Sequence, residues 1–345
     1  MKFDLSGEPV HTRCLCVALT QGPGESIEFR ADILDLRKSG LMELGGRIAM
    51  AGIIHKMEVR GAFSSYSRRI ERIEWDQSHV MHEPNLASKG ECCRDPMGRL
   101  EGLIGKELGE GFDGELKQCF GGPLGCTHVN TLLHELSSVV ARLFVARSRH
   151  PDLASRRPTG ERIASRSVFF DAFFPQESAT TTLSVRVAEL DFAPLDAEGN
   201  EVLFSHGEAR LLAEVELAGW LLRGMQARER FRRGPSCEDT PWSPRTNDLE
   251  DFSDRSLGGG MTRFCLERFG YRDEDALLLS ALLSLAPGMT QVGVALSDTL
   301  APSSKARPAN SPLMGPGPCY MLRAEGPLME RLFPRAAPES LEESD

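Results

Sequence analysis

The stretch Ile27-Glu-Phe-Arg-Ala-Asp-Ile33 alternates apolar and charged side chains. This alternation is typical of a β-strand that buries one face. A short apolar run, Arg13–Leu19, precedes it, and the apolar stretches Ile53–Phe63 and Arg69–Trp75 follow it. Serines at positions 64, 65 and 67 supply a turn between the last two stretches. We therefore predict an antiparallel β-meander within residues 10–85.

Helical patterns follow the meander. Leu100–Leu108 and Glu115–Phe120 are predicted to be short helices, and the clearest helix begins just after Gly125. Its apolar residues recur three and four positions apart and so share one face: Val129, Leu132, Leu133, Leu136, Val139, Val140, Leu143 and Phe144. Thr127 is the predicted N-cap. The predicted fold class is α+β, with the antiparallel meander packed against the helices.

The second half of the sequence matches the pattern of the first. Three stretches correspond: Phe29–Leu36 with Leu183–Leu190, Glu58–Val59 with Glu214–Val215, and Val129–Leu136 with Leu278–Leu285. An internal repeat of this length predicts two copies of one α+β unit, duplicated into a pseudo-dimer. The alternative is that two unrelated halves share a generic pattern.

The domain boundaries follow from this repeat. We predict an N-terminal module over residues 8–150 and a second, degenerate repeat over residues 160–300. Residues 301–315 and the acidic end, 337–345, are predicted to be flexible, because neither can bury enough apolar surface to offset its ordering entropy. The polar segment Arg233–Asp254 is expected to be weakly ordered for the same reason.

The composition excludes several classes of protein. The 345 residues include 40 Lys and Arg against 50 Asp and Glu, so the formal net charge at pH 7 is −10. Nonspecific nucleic-acid binding needs an excess of cationic side chains and is not expected. The N-terminus lacks an apolar signal segment, and the longest apolar stretch, Ala276–Ala286, is short for a membrane span. We predict a soluble cytoplasmic protein without a membrane partner.

The strongest candidate for chemistry is Gly125-Cys-Thr-His128, at the start of the long helix. The helix dipole and free backbone N–H groups favour a thiolate at Cys126, as a nucleophile or a metal ligand. His128 could bind the same ion or accept the thiol proton. A lone cysteine near a helix start is, however, more often a small buried apolar residue.

Further donors could complete a metal site. His55 lies on the apolar face of a predicted strand, Cys92 and Cys93 are adjacent in a polar loop, and Cys319 follows the Pro-rich segment. With nine cysteines and no regular framework, thiols or metal ligands are more plausible than secreted disulfides. We predict a zinc site formed by Cys126, His128 and Cys319, with one of Cys92, Cys93 or His55.

Several motifs resemble the bacterial domain of unknown function 2889 family (DUF2889). They are His11-Thr-Arg13, Ile54-His-Lys-Met-Glu-Val-Arg60, Leu100-Glu-Gly-Leu103, Gly111-Phe112, Gly125-Cys-Thr-His-Val-Asn-Thr-Leu-Leu133 and the segment Cys319–Pro334. The resemblance implies that His55, Cys126, His128 and Cys319, with Cys92 or Cys93, belong to one site. It also implies that residues 316–336 complete the first module and that the second repeat is inserted before them. The family brings no established activity.

Three functions remain open at this point. A metal with an open coordination position would make a metal-dependent enzyme, and a closed ligand set would be structural. A metal-free thiol enzyme would use Cys126 as the nucleophile and His128 or His55 as the base. The third alternative is a non-enzymatic interaction or scaffold protein. The expected partner is an unidentified small molecule or protein, and a homo-oligomer is compatible with the sequence.

Overall fold

The computed structural model describes residues 5, 7–44, 47–155, 157–175, 178–233, 240–270, 272–296 and 317–332. Within them nine strands form one antiparallel sheet in the order β4-β3-β2-β1-β5-β6-β7-β8-β9. The strands are β1 Glu8–Gln21, β2 Ser26–Leu44, β3 Arg47–Ser64, β4 Ile70–His79, β5 Arg162–Phe174, β6 Thr180–Ala193, β7 Val202–Glu216, β8 Leu221–Arg233 and β9 Ser243–Pro244. The predicted α+β class and antiparallel meander are confirmed.

Helices cover one face of the sheet. They are α1 Phe112–Phe120, α2 Thr127–Arg149, α3 Met261–Phe269, α4 Ala276–Leu283, α5 Leu285–Ala295 and α6 Pro327–Leu332. The apolar stripe predicted for the long helix packs into the core, where Val129, Leu132, Leu133 and Leu136 are fully buried. Helix α2 contacts β1, β2, β3 and β5, so its N-terminal end lies over the first half of the sheet.

The two halves of the chain have the same order of elements. Each has a four-stranded meander, then a 3₁₀ helix and a short helix that begins after a left-handed glycine; α2 follows in the first half, and α4 and α5 follow in the second. β1 and β5 pair in the middle of the sheet, with Leu15 opposite Val168, and the meanders extend outward from them in opposite directions. A common origin of the halves stays a prediction.

The cross-strand register changes one of the matches between the halves. With Phe29 matched to Leu183, their partners on the next strands are Gly61 and Ala213. The match of Glu58 with Glu214 was therefore wrong by four residues, because it ignored strand pairing. The register places Arg210 at the position that corresponds to Glu58.

Several local predictions also need correction. The first predicted short helix is a 3₁₀ helix, Met97–Leu103, and α2 has Cys126 rather than Thr127 at its N-cap. In the segment expected to be weakly ordered, a 3₁₀ helix over Thr246–Phe252 buries Leu249 and Phe252. Two apolar side chains are enough to dock this otherwise polar stretch. The predicted flexible segments 301–315 and 337–345 lie outside the described residues.

The apolar helical stretch of the second half belongs to the core. By length and composition alone, the helical stretch Asp273–Gly293 could cross a membrane. It is longer than Ala276–Ala286, the apolar stretch identified in the sequence. In the fold, 72% of its most apolar window is buried. Burial of this extent is typical of a central helix in a globular domain.

Each half also buries an arginine beside a carboxylate. Arg13 on β1 lies directly opposite Asp35 on β2, and Arg166 on β5 lies directly opposite Glu189 on β6. All four side chains are almost completely buried. They occupy corresponding register positions, and both pairs face the helices rather than solvent.

Candidate functional site

The N-terminal end of α2 is held close to the end of α1 by Gly125. A Cβ atom at this position would lie 2.1 Å from the carbonyl oxygen of Phe120, so a larger residue would push the two helices apart. Cys126 has extended backbone geometry, and the helix starts directly after it. As a result the side chains of Cys126 and His128 are both buried, each with 6% exposure.

Asp35 is the centre of a buried polar cluster below this helix end. Its Oδ1 accepts a hydrogen bond from Arg13 Nε at 2.8 Å, and its Oδ2 accepts one from Arg13 Nη2 at 3.1 Å. His11 Nε2 lies 3.2 Å from Oδ1. These contacts fix the orientation of the carboxylate and direct Oδ2 towards the remaining histidines.

Two of those histidines meet at Asp35 Oδ2. His128 Nε2 lies 2.7 Å from this oxygen, and His55 Nδ1 lies 3.7 Å from it. The latter distance is too long for a hydrogen bond, and His55 Nδ1 has no hydrogen-bond partner among the described residues. The ligand atoms of Asp35, His55 and His128 all lie within 4.8 Å of one another. This is an arrangement that could hold a metal ion.

Electrostatics puts these groups in the protonation states that metal binding requires. Burial, reinforced by His128, lowers the pKa of His55 to about 3. Burial also lowers the pKa of His128, despite the opposing effect of Asp35. Burial alone would raise the pKa of Asp35, but Arg13 and His128 outweigh it and hold this pKa well below its usual value. At neutral pH the cluster therefore contains two neutral imidazoles and an ionised carboxylate.

The predicted cysteine ligands lie on the other side of the His128 ring. Cys126 Sγ is 3.7 Å from His128 Nδ1, whereas Asp35 is next to Nε2. The two nitrogens of an imidazole point in different directions, so Cys126 and Asp35 do not face one common point. The structure thus brings His55 and His128 together as expected, but with Asp35 and without Cys126 as the third member.

Cys319 reaches the start of α2 through backbone contacts. Thr127 Oγ1 donates to the carbonyl of Pro318 at 2.6 Å, and the amide of Tyr320 donates to the carbonyl of Gly125 at 2.8 Å. Cys319 lies between these two anchors and therefore beside Cys126.

Cys92 and Cys93, the adjacent cysteines in the polar loop, have different environments. Cys92 Sγ donates to Asp95 Oδ1 at 3.1 Å, so it has a local partner. Burial raises the pKa of Cys93 well above its usual value, and the neighbouring Cys126 and Cys319 raise it further. Cys93, Cys126 and Cys319 thus form a thiol group next to the His/Asp cluster, in which Cys126 is buried and the other two are partly exposed. In the part of the chain that is described, these three sulfurs are not within 4.8 Å of one another as a set.

The sequence did not mark Asp35 or Gln291 as site residues, and His11 and Arg13 were marked only as part of a family motif. Asp35 continues the alternating pattern on the buried face of β2, after Ala31 and Ile33, and a carboxylate at such a position was the available signal. Gln291 on α5 had no such signal. Its Nε2 lies 3.3 Å from His128 Nε2, a contact that depends on how the second half docks onto the first.

Comparison with known proteins gives one match. Residues 11–142 match the family model described as Protein of unknown function (DUF2889). Searches among curated proteins and among solved structures found no match. The matched region runs from β1 to α2 and includes Asp35, His55 and His128, but neither Cys319 nor the second half of the chain. Residues 11–142 of this chain thus resemble the DUF2889 family, as the sequence motifs indicated.

Proposed function

We propose that this protein binds one divalent transition-metal ion between Asp35, His55 and His128. The observation that carries the proposal is the convergence of the three ligand atoms in a buried cluster where His55 Nδ1 has no hydrogen-bond partner among the described residues. A buried polar atom without a partner is costly, and a bound ion would remove that cost. Zinc is the first candidate, because it accepts imidazole and carboxylate ligands.

The observed spacing is close to what a tetrahedral ion requires. Bonds of about 2.0–2.1 Å to nitrogen and oxygen place neighbouring ligand atoms roughly 3.3 Å apart. The distances to Asp35 Oδ2 are 2.7 Å from His128 Nε2 and 3.7 Å from His55 Nδ1. Side-chain shifts of a fraction of an ångström would bring both nitrogens to the ideal separation from Asp35 Oδ2. Gln291 Nε2 lies 3.3 Å from His128 Nε2 and so borders the cluster.

Residues around the ligands support the same function. Arg13 donates to both oxygens of Asp35, and His11 lies beside Oδ1. Metal-binding carboxylates in proteins are usually hydrogen-bonded by such outer residues, which fix their orientation. Because both imidazoles are neutral at pH 7, neither has to lose a proton to bind an ion. Each only needs the tautomer in which its single N–H lies on the nitrogen that does not bind.

The second half of the chain provides an internal comparison. Its buried Arg166–Glu189 pair corresponds in register to Arg13–Asp35. The positions that correspond to His11, His55 and His128 are occupied by Ala164, Gly207 and Leu277. A Cβ atom on Gly207 would lie 2.7 Å from Leu277 Cδ1, so these two residues meet as His55 and His128 do. The arginine–carboxylate pair thus occurs without histidines, which argues that the histidines serve binding rather than folding.

Calorimetric titration of Zn²⁺ into EDTA-treated, tag-free protein tests the proposal. We expect one ion per chain, and we expect Asp35→Asn to weaken binding by more than about 10-fold. His134→Leu is the matched control, because His134 lies further along α2 and pairs with Asp113. Its affinity for zinc should equal that of the wild type.

The thiol group is the alternative location for an ion. Cys126→Ser and Cys319→Ser should leave the zinc affinity within a few-fold of the wild type if Asp35, His55 and His128 are the ligands. Loss of binding in these two variants, with binding retained in Asp35→Asn, would move the metal to the cysteines and contradict the assignment.

A second candidate function is thiol chemistry at Cys126. The observation in its favour is a continuous line from Asp35 through His128 to Cys126, in which His128 contacts Asp35 at one nitrogen and Cys126 at the other. This is the order of groups in a nucleophile, base and orienting acid. The pKa of Cys126 argues against an activated thiolate, because burial raises it to about 12.

Alkylation by iodoacetamide at pH 7.5 separates the two functions. With its pKa raised by burial, Cys126 should react more slowly than Cys119, which is partly exposed on α1. Peptide mass spectrometry after timed quenching would give both rates. Faster labelling of Cys126 than of Cys119 would favour the thiol function over a purely metal-binding one.

A further inference from the structure

The outer face of the sheet, opposite the helices, has a row of acidic residues in the first half. Asp32, Glu58 and Asp76 lie directly opposite one another on β2, β3 and β4, and we call them the acidic row. Two arginines neutralise part of this row: Arg30 contacts Asp32 at 2.9 Å and Glu58 at 2.8 Å, and Arg60 contacts Glu58 at 3.4 Å. Asp76 forms no ion pair with any described residue. The acidic row therefore keeps an excess of negative charge.

The corresponding register positions of the second half carry the opposite charge. Arg186, Arg210 and Arg228 lie directly opposite one another on β6, β7 and β8, and we call them the arginine row. Arg186 and Arg210 form no ion pair with a residue that the structure describes. Trp242 stacks near the guanidinium groups of Arg210 and Arg228, at 4.6 and 4.7 Å.

Contacts within the chain compensate the two rows only in part, through Arg30 on the acidic row and Trp242 on the arginine row. Like charges directly opposite each other on neighbouring strands are destabilising. The protein is acidic overall, with a net charge of −10, and yet three arginines adjoin one another on this face. An arrangement of this kind is typical of a surface that meets opposite charge from a partner.

Between the two rows, the middle of the same face is mostly uncharged; its Asp171, on β5, pairs with Lys38. Cys14 and Cys16 on β1 and Phe169 on β5 point outward there, since they alternate with buried neighbours. Phe169 is 42% exposed although it is a large apolar side chain. The outer face thus combines an acidic row, an apolar centre and an arginine row.

We propose that two copies of this chain associate through this face, with the acidic row of each against the arginine row of the other. A twofold axis in the plane between the copies, running roughly along the strands, places both pairs of rows in contact at once. The interface is then isologous, which is the commonest symmetry of soluble dimers. Phe169 of each copy lies near the centre, where an apolar contact adds most.

Charge reversal tests the proposal by the oligomeric state. By analytical ultracentrifugation we expect the wild type to be a dimer. Arg186→Glu/Arg210→Glu/Arg228→Glu and Asp32→Lys/Glu58→Lys/Asp76→Lys should each be monomeric, with dissociation constants raised at least about 100-fold. An equimolar mixture of the two variants should form a heterodimer, because each supplies the row that the other lacks.

The neutral variant Arg186→Gln/Arg210→Gln/Arg228→Gln controls for misfolding of the charge-reversed variants. It should also weaken the dimer. Unchanged circular dichroism and zinc affinity would show that the fold and the His/Asp cluster are intact. A wild type that is monomeric at every concentration, a reversed variant that still dimerises, or a failure of the mixture to associate would each overturn the proposal.

Discussion

The variant His11→Ala/His55→Gly/His128→Leu is expected to lose metal binding and to keep its fold. These substitutions place in the first half the residues that occupy the corresponding positions of the second half, Ala164, Gly207 and Leu277. Loss of two ligands and one supporting residue should weaken zinc binding by well over the roughly 100-fold that loss of an outer residue alone costs. Isothermal titration calorimetry would measure the change.

The fold should survive because the second half already packs this combination. Leu277 fills the space beside Gly207 and is 5% exposed. The free energy of unfolding of the metal-free variant should lie within about 3 kcal/mol of the metal-free wild type, as for most substitutions. Urea denaturation would test this, with His134→Leu as the control. Undiminished zinc affinity in the folded triple variant would contradict the proposed ligands.

The second large effect is expected at the buried arginine of the second half. Arg166 Nε donates to Glu189 Oε2 at 2.6 Å, and its Nη1 donates to Glu135 Oε2 at 3.1 Å. Arg166→Met would leave two buried carboxylates, of which Glu189 retains Arg142 at 2.8 Å and Glu135 retains Ser280. Removing one member of a buried ion pair costs about 3–5 kcal/mol, so we expect a loss of unfolding free energy of that size.

A surface pair provides the matched control for this measurement. Arg30→Met removes an arginine whose side chain is 62% exposed, and the change in unfolding free energy should be at most about 1 kcal/mol. Arg166→Met/Glu135→Leu/Glu189→Leu should recover much of the lost stability, since no buried charge is then left without compensation at these positions. A loss in Arg166→Met no larger than in Arg30→Met would show that the buried carboxylates find other compensation.

Much of the fold could be predicted because its signals are local. The alternation in Ile27–Ile33 and the spacing of apolar residues from Val129 to Phe144 each reflect burial of one face of one element. The joining of two meanders into one sheet through β1 and β5 has no local signal. The wrong match of Glu58 with Glu214 shows the same limit, because register depends on pairing between strands.

The candidate site was predicted only in part, for a related reason. His55 and His128 were recognised as donors by residue type, and the structure brings them together. Cys126 was expected to be a ligand because it lies at a helix N-terminus, and His128 was expected to bind the same ion because it lies two residues on. In the structure the His128 ring lies between Cys126 and Asp35. Tertiary packing decides which neighbour each ring nitrogen of His128 faces. Asp35 was overlooked because it lies in an otherwise ordinary buried strand.

The most direct test of the central claim is the metal content of the protein as purified. Elemental mass spectrometry would be applied to wild-type protein made without a histidine tag, beside the folded His11→Ala/His55→Gly/His128→Leu variant. The proposal predicts close to one equivalent of a single transition metal in the wild type and none in the variant. Absence of metal from the wild type after zinc, iron and manganese supplementation, or equal metal in both proteins, would contradict it.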